Sequence, residues 1–317
     1  MESGPADWGE RLSDRIRRAL AAGDLAEARR LALEGDGQAR SLAKEYALMY
    51  RGLGITLRVL LGLLAARAGS ATAAGALAAL LARFQRDMLA LSGGLPAGAG
   101  EDAEELLARL EARFSTEQAR LADEAVRALD AGDAAAALTA LDRKERGQYV
   151  PLHDRMVRFM AEAFGWVLDH FGAPELERFH LETAEGQRKG FEAWERLSPA
   201  EFARTTAFLL KQHMGTVEVY EDAERFTVVQ RPCGSGGRLR LAGAYAGPGA
   251  LPLVETPGPL TFGQPSLPVY CSHCPIWNGV APLRWFGHPH WVFEEPSRPD
   301  GSCTLHVYKR RDAAGVT

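Results

Sequence analysis

The first 232 of the 317 residues contain no cysteine; all four, Cys233, Cys271, Cys274 and Cys303, fall in the last third. Four cysteines in so long a chain exclude a scaffold built on disulfides. Their crowding, which random placement would rarely produce, points to one shared site. An excess of charge of one sign is also missing. The 37 Lys and Arg nearly balance 41 Asp and Glu, for a formal charge of −4. That composition offers no electrostatic case for nucleic acid as a partner. Long apolar runs are missing too. The most apolar stretch, GITLRVLLGLLAARAG, is interrupted by Arg58 and Arg67, short of the roughly 20 apolar residues needed to cross a bilayer. The N-terminal MESGPADWGERLSDRIRRAL has no apolar signal core. The expectation is a cytoplasmic protein with no membrane partner and room for about two domains.

What is present up to about Lys211 is helical pattern. Ala, Leu, Arg and Glu dominate, with apolar residues three and four apart. Gly- or Pro-containing breaks (GDGQAR, SGGLPAGAGED, FGAPEL, LSPAEF) punctuate it. Two segments match: RALAAGDLAEARRLALEGD from Arg18 and RALDAGDAAAALTALDRKE from Arg127. Each reads as a helix, an AGD turn whose Asp caps the next helix, and that helix. Similar Ala-rich composition is the alternative account. This predicts a first helical domain over 1–95, a scaffold or dimerisation half, with SGGLPAGAG as linker. The second repeat would occupy 101–212 and an α+β part 213–317. A homodimer through the helical region is the self-partner implied. At constant offset, Lys44-Glu45 of the first copy faces His153-Asp154 of the second. The former pair suits a solvated surface; the latter can bind a metal or move a proton.

After His213 the pattern turns to short strands. GTVEVYED and RFTVVQRP read as a hairpin, GRLRLAG as a third strand, LPVYCS as a fourth, and HWVFEEP with CTLHVYKR as a closing hairpin. The fold class is therefore α+β, a duplicated helical region followed by a small antiparallel sheet carrying a cysteine-rich metal site.

In VYCSHCPIWN, the Cys271-x-x-Cys274 turn lets two thiolates converge on one tetrahedral zinc, with iron as the alternative metal. Cys233 follows one strand and Cys271 another, so neighbouring strand ends would add a third sulfur. The fourth ligand would come from His213, His288, His290, Cys303 or water, and His290 is placed in the set. A redox pair would need the motif at a helix N-terminus in a βαβ context, and Pro275 with strand-like surroundings argues against it. Unrelated buried thiols are the third possibility. In PCGSGGR the Arg238 spacing fits no phosphatase loop and there is no Walker lysine. A glycine turn letting the backbone pass close to a metal or strand is the simpler account. His306 reads as a surface or sheet-face residue.

With PCGSGGR, VYCSHC and LHDRMVRFMAEAFGWVLDHFG in view, the chain resembles a set of bacterial proteins of unassigned function. These share a His-Asp helix, a Cys-Gly-Ser-Gly-Gly turn and a Cys-x-His-Cys motif; the likeness covers about Ala125 to Cys274. Its last strand is also similar, much more faintly, to 2-amino-thiazoline-4-carboxylate hydrolase-like and 4-vinyl-reductase-like domains. That likeness implies an α+β fold with a cysteine-containing metal or small-molecule site, and carries over no residue.

The resulting functional expectation is a metal-dependent enzyme, hydrolase-like, acting on a small-molecule substrate. Cys233, Cys271, Cys274 and His290 would hold the metal as Lewis acid. His273, His153 and Asp154 would serve acid–base chemistry. Arg238 and Arg188 (with Arg204 a further candidate) would meet an anionic group, and Trp166 and Trp277 would exclude water. The rival is a non-enzymatic interaction protein whose zinc is structural. Four protein ligands would favour the rival, and an exchangeable position beside His153 the enzyme.

Overall fold

The computed structural model describes residues 2–3, 7–95 and 103–310. Most of the expected linker, 96–100, lies outside them. The helical region comprises α1 (Leu12–Ala21), α2 (Leu25–Glu34), α3 (Ala47–Arg67), α4 (Ala71–Leu91), α5 (Ala103–Asp130), α6 (Ala134–Asp142), α7 (Val150–Phe171), α8 (Ala173–Glu185), α9 (Arg188–Trp194) and α10 (Pro199–Gln212). A π-helical stretch, Arg143–Tyr149, leads into α7. The chain forms two compact units interleaved in sequence rather than successive. One contains Glu10–Arg58 and Leu81–Met156; the other contains Met1–Gly9, Val59–Leu80 and Val157–Thr317.

In the first of these units the two matched segments adopt the same local geometry. Ala22 N–H donates to Arg18 C=O and Ala131 N–H to Arg127 C=O, both at 3.1 Å. Gly23 and Gly132 follow with φ of 75° and 73°, the left-handed conformation that glycine adopts without a Cβ penalty. Asp24 then accepts from Glu27 N–H and Asp133 from Ala136 N–H, each at 2.9 Å. Both αα-hairpins feed one core, in which Ile16, Leu20, Ala28 and Ala32 meet Ala125, Leu129, Ala137 and Leu141. These are equivalent positions of the repeat.

The Lys44-Glu45 pair is not solvated surface throughout, contrary to expectation. Lys44 is exposed, but Glu45 is buried with Ser13, Tyr46, Lys144 and Glu145. Lys144 Nζ lies 3.6 Å from Glu45 Oε2 and over the Tyr46 ring. Burial pushes the Glu45 carboxyl up and the Lys144 amine down. Glu145, despite its burial, is held low by Arg17 and Arg11. Glu45 and Glu145 both turn inward onto Ser13.

Among the described residues one helical stretch, Leu42–Arg67, is long and apolar enough by length and composition to cross a membrane; an 18-residue window of it has mean hydropathy 1.5, and 44% of that window is buried in the protein. Reading only its uninterrupted apolar run missed this. The buried leucines Leu53, Leu57, Leu60 and Leu64 supply part of that apolar character from the core.

The other unit contains the sheet. Its strands are β1 (Glu2–Ser3), β2 (Val217–Glu221), β3 (Arg225–Gln230), β6 (Val292–Glu295) and β7 (Cys303–Tyr308). They run antiparallel in the order β1-β2-β3-β7-β6. A separate pair joins β4 (Leu253–Val254) to β5 (Leu267–Pro268). Both expected hairpins form, and the fold is α+β. Helix α10, started by a Ser198–Glu201 capping box, buries Phe202, Ala203, Ala207 and Leu210 against Val217, Val219, Val228, Leu305 and Val307.

Two expected strands do not form as read. GRLRLAG is helix α11 (Gly236–Leu241). Its alternation over so few residues fits either period, and β7 already occupies the free edge of β3. LPVYCS contributes only Leu267–Pro268 to a strand. Val269–Ser272 then forms a 3-10 turn that continues into a short helical turn at His273–Pro275.

Candidate functional site

The four cysteines converge by three routes. Strand β3 ends at Gln230, directly opposite Cys303 at the start of β7. Three residues past β3, Cys233 N–H donates to Gly301 C=O at 2.9 Å, tying its turn to the approach of β7. The glycines after Cys233 are dictated by close packing. A Cβ on Gly234 would lie 2.2 Å from His213 O, one on Gly237 2.3 Å from Gly301 O, and one on Gly236 2.8 Å from Cys271 Sγ. The turn thus lets the backbone pass against a partner segment and a sulfur, as its composition suggested. Cys271 and Cys274 sit one helical turn apart, a spacing that puts both on one side.

All four are free thiols, and they share one electrostatic neighbourhood. Burial, reinforced by any negative charge on Cys271, Cys303 or Cys233, pushes the Cys274 thiol well up. Burial and Cys233 push Cys303 up to about 12. Cys271 is also raised by burial, against the pull of Arg240. Arg240 Nη1 and Ser297 Oγ each approach Cys271 Sγ at 3.3 Å. Arg240 also donates to Ser297 Oγ at 2.7 Å, so the guanidinium orients both itself and the hydroxyl toward sulfur. Two donors on one sulfur suit a thiolate better than a thiol. Among the described residues, however, no three His, Cys, Asp or Glu side chains are already drawn up as a ligand shell.

His273 lies between the sulfurs and an aromatic wall. Its Nδ1 donates to Tyr270 C=O, and its Nε2 is 3.6 Å from Cys274 Sγ. Burial lowers its pKa to about 4, so the ring is neutral at pH 7 with its Nε2 lone pair toward Cys274. Beyond it stand Trp277, with ring centroids 4.5 Å apart, and Phe164 at 5.9 Å.

The remaining expected site residues are elsewhere. His290 directs Nε2 to Glu195 at 2.7 Å, inside a shell of Phe191, Trp194, Phe202 and Phe286. His288 bonds the other Glu195 oxygen at 3.1 Å. Glu195, His288 and His290 line a cavity of about 20 Å³ together with Trp194, Phe202, His306 and Tyr308, a feature the spacing of FGHPHW did not reveal because Glu195 is distant in sequence. His306 is a buried sheet-face residue, between Thr227 and Glu294. Arg188 pairs with Glu185 and Glu192 over Trp285. Arg238 donates to Met214 C=O at 3.3 Å, and Trp166 to Ala73 C=O at 3.3 Å. His153 is buried beside Tyr149 with Asp154 at 2.8 Å, in the unit that does not contain the cysteines.

Compared with known protein families, curated proteins and solved structures, the chain matches none. Its chemistry is therefore read from the cluster itself. One earlier exclusion also loses force: the Cys-x-x-Cys segment is helical, not strand and loop. The βαβ context of a redox motif is still absent from an antiparallel sheet.

Proposed function

We propose that Cys233, Cys271, Cys274 and Cys303 bind one metal ion, zinc in preference to iron, and that this closed site staples the C-terminal part of a non-enzymatic interaction protein. The observation that carries the reading is the fourth cysteine. Cys303, not His290, joins the cluster, because β7 pairs with β3 and brings it opposite Gln230. Four thiolates complete a tetrahedral shell and leave no position for water or substrate. Burial raises the Cys271, Cys274 and Cys303 thiols. A divalent ion supplies positive charge, and binding releases their protons. Arg240 offsets part of the net negative charge of a zinc tetrathiolate, with Ser297 completing the donors to Cys271. The sulfurs are not yet at ligand spacing, so binding turns the side chains inward about χ1 between staggered wells.

The test is metal analysis of untagged protein. About one zinc per chain is expected in the wild type and in His290→Ala, with loss in Cys271→Ser and Cys303→Ser. Full retention of metal in both cysteine variants rejects the site. The cobalt-substituted protein should show the visible bands of a tetrathiolate.

A single observation favours a second reading, in which the metal is catalytic. The 3.6 Å between His273 Nε2 and Cys274 Sγ matches the roughly 3.5 Å between N and S ligands sharing a tetrahedral zinc, from its bond lengths. If His273 and Cys274 shared the ion with a single further cysteine, three protein ligands would leave the fourth position exchangeable, and the metal could polarise a small-molecule substrate. A changed cobalt spectrum in His273→Asn, with Cys303→Ser unaltered, would select it.

A further inference from the structure

In the helical unit a lysine and a glutamate are sealed together away from solvent. Glu45 stands just before α3, and Lys144 lies in the π-helical stretch that leads into α7. Both side chains are 0% exposed, and Lys144 Nζ lies 3.6 Å from Glu45 Oε2. Among the described residues neither of these two atoms has a hydrogen-bond partner. Nζ rests 4.4 Å from the centre of the Tyr46 ring, which stacks on Tyr149 at 4.2 Å, so apolar ring surface borders the pair. The other carboxyl oxygen is held in place: Ser13 N–H, in the first turn of α1, donates to Glu45 Oε1 at 3.1 Å. The adjacent carboxylate of Glu145 is committed elsewhere, to Arg17 at 2.6 Å and to the hydroxyls of Ser13 and Tyr46. Glu45 is therefore the carboxyl that faces the amine. Burial favours the uncharged acid of Glu45 and the uncharged amine of Lys144. In water the two groups would be ions and would not combine. Here a nucleophilic amine is held against an un-ionised carboxyl, the arrangement that gives intramolecular reactions their high effective molarity.

We propose that Lys144 and Glu45 are a self-modification site, at which Nζ and the Glu45 carboxyl carbon join in an intramolecular amide that ties the start of α3 to the stretch before α7. Nζ attacks the carboxyl carbon. Oε1 carries the developing negative charge against the Ser13 N–H and stays as the amide oxygen. The hydroxyl at Oε2 leaves as water, taking one of the two amine hydrogens. One C–N bond forms, one C–O bond breaks, one water is lost and no other reactant enters. The product is a neutral amide, which removes two ionisable groups from a core where unpaired charge is costly. Until the bond closes, the two groups remain the non-covalent pair described above. The inference does not depend on the metal reading.

The experiment is the intact mass of the whole folded protein, freshly purified and again after prolonged incubation. The chain should be, or become, lighter than its sequence by one water. Trypsin does not cut after an acylated lysine, so digestion should yield a branched peptide joining residues 45–51 to residues 144–146. Fragmentation of that peptide should place the branch at Glu45 and Lys144. Glu45→Ala and Lys144→Met should keep the full sequence mass. A wild-type chain that still has its full mass after incubation in the folded state overturns the proposal. So does a loss of water that maps to any other peptide, such as a cyclised aspartate. Both refuting results are read on the wild type, so they hold whether or not the variants fold.

Discussion

Replacing Gly237 by alanine tests the packing around Cys233 with a prediction whose sign runs against helix propensity. Gly237 lies inside helix α11, where alanine ordinarily stabilises by about 0.5–1 kcal/mol. Here the added Cβ would stand 2.3 Å from Gly301 O and 3.1 Å from Cys233 Cβ. The first obstacle is backbone, so relief requires moving the Gly301 carbonyl, which accepts from Cys233 N–H. Overpacking costs about 1–3 kcal/mol, and a weakened hydrogen bond adds about 0.5–1.5 kcal/mol. After the propensity gain, the net expectation is about 1–3 kcal/mol of destabilisation, or roughly 3–10 °C in Tm for a unit of this size. Gly190→Ala is the control. That glycine is also helical, in α9, with nothing within 4 Å of an added Cβ. It should stabilise by about 0.5–1 kcal/mol. Tryptophan fluorescence is the assay, because Trp8, Trp166, Trp194, Trp277, Trp285 and Trp291 all belong to the sheet-containing unit. Equal or opposite effects of the two substitutions would refute the close approach of α11 to Gly301.

Stability should also fall with acid through His180. Its folded pKa is depressed by burial, so below about pH 6.5 the unfolded chain takes up a proton that the folded one refuses. Its contribution is complete above that pH and declines by up to about 1.4 kcal/mol per unit below it. Urea midpoints at pH 7.5, 6 and 5 should converge between wild type and His180→Gln as the pH falls, and parallel curves would sink the argument. Asp24→Ala and Asp133→Ala should each cost about 1 kcal/mol as lost helix caps, read by circular dichroism. A large difference between them would contradict their shared turn geometry. Lys144→Met leaves Glu45 buried without its cation and should cost about 3–5 kcal/mol, whereas adding Glu45→Leu should recover most of it. No recovery in the double variant would show that the pair is not the source of the loss.

Local order was legible along the chain. Apolar spacing placed the helices, Asp after Gly marked both caps, and alternation marked the two hairpins, because each signal depends on residues within one or two turns of one another. The crowding of four cysteines behind residue 232 pointed to one neighbourhood, which their mutual electrostatic influence bears out, and the glycines of PCGSGGR announced close backbone approach. Which side chains lie near the cysteines was decided by pairing. Cys303 joined the cluster because β7 lies on the free edge of β3, while GRLRLAG, short enough to fit either period, became a helix. His290, equally plausible by residue type, was taken by Glu195, ninety-five positions away. The buried Lys144–Glu45 pair was hidden because a charge run reads as solvated surface until tertiary packing encloses it. Hydrophobic period and turn chemistry act locally and are written in neighbouring residues. The partner of a buried histidine and the fate of a buried charge depend on which distant segments meet, and for this protein only the folded structure determined that.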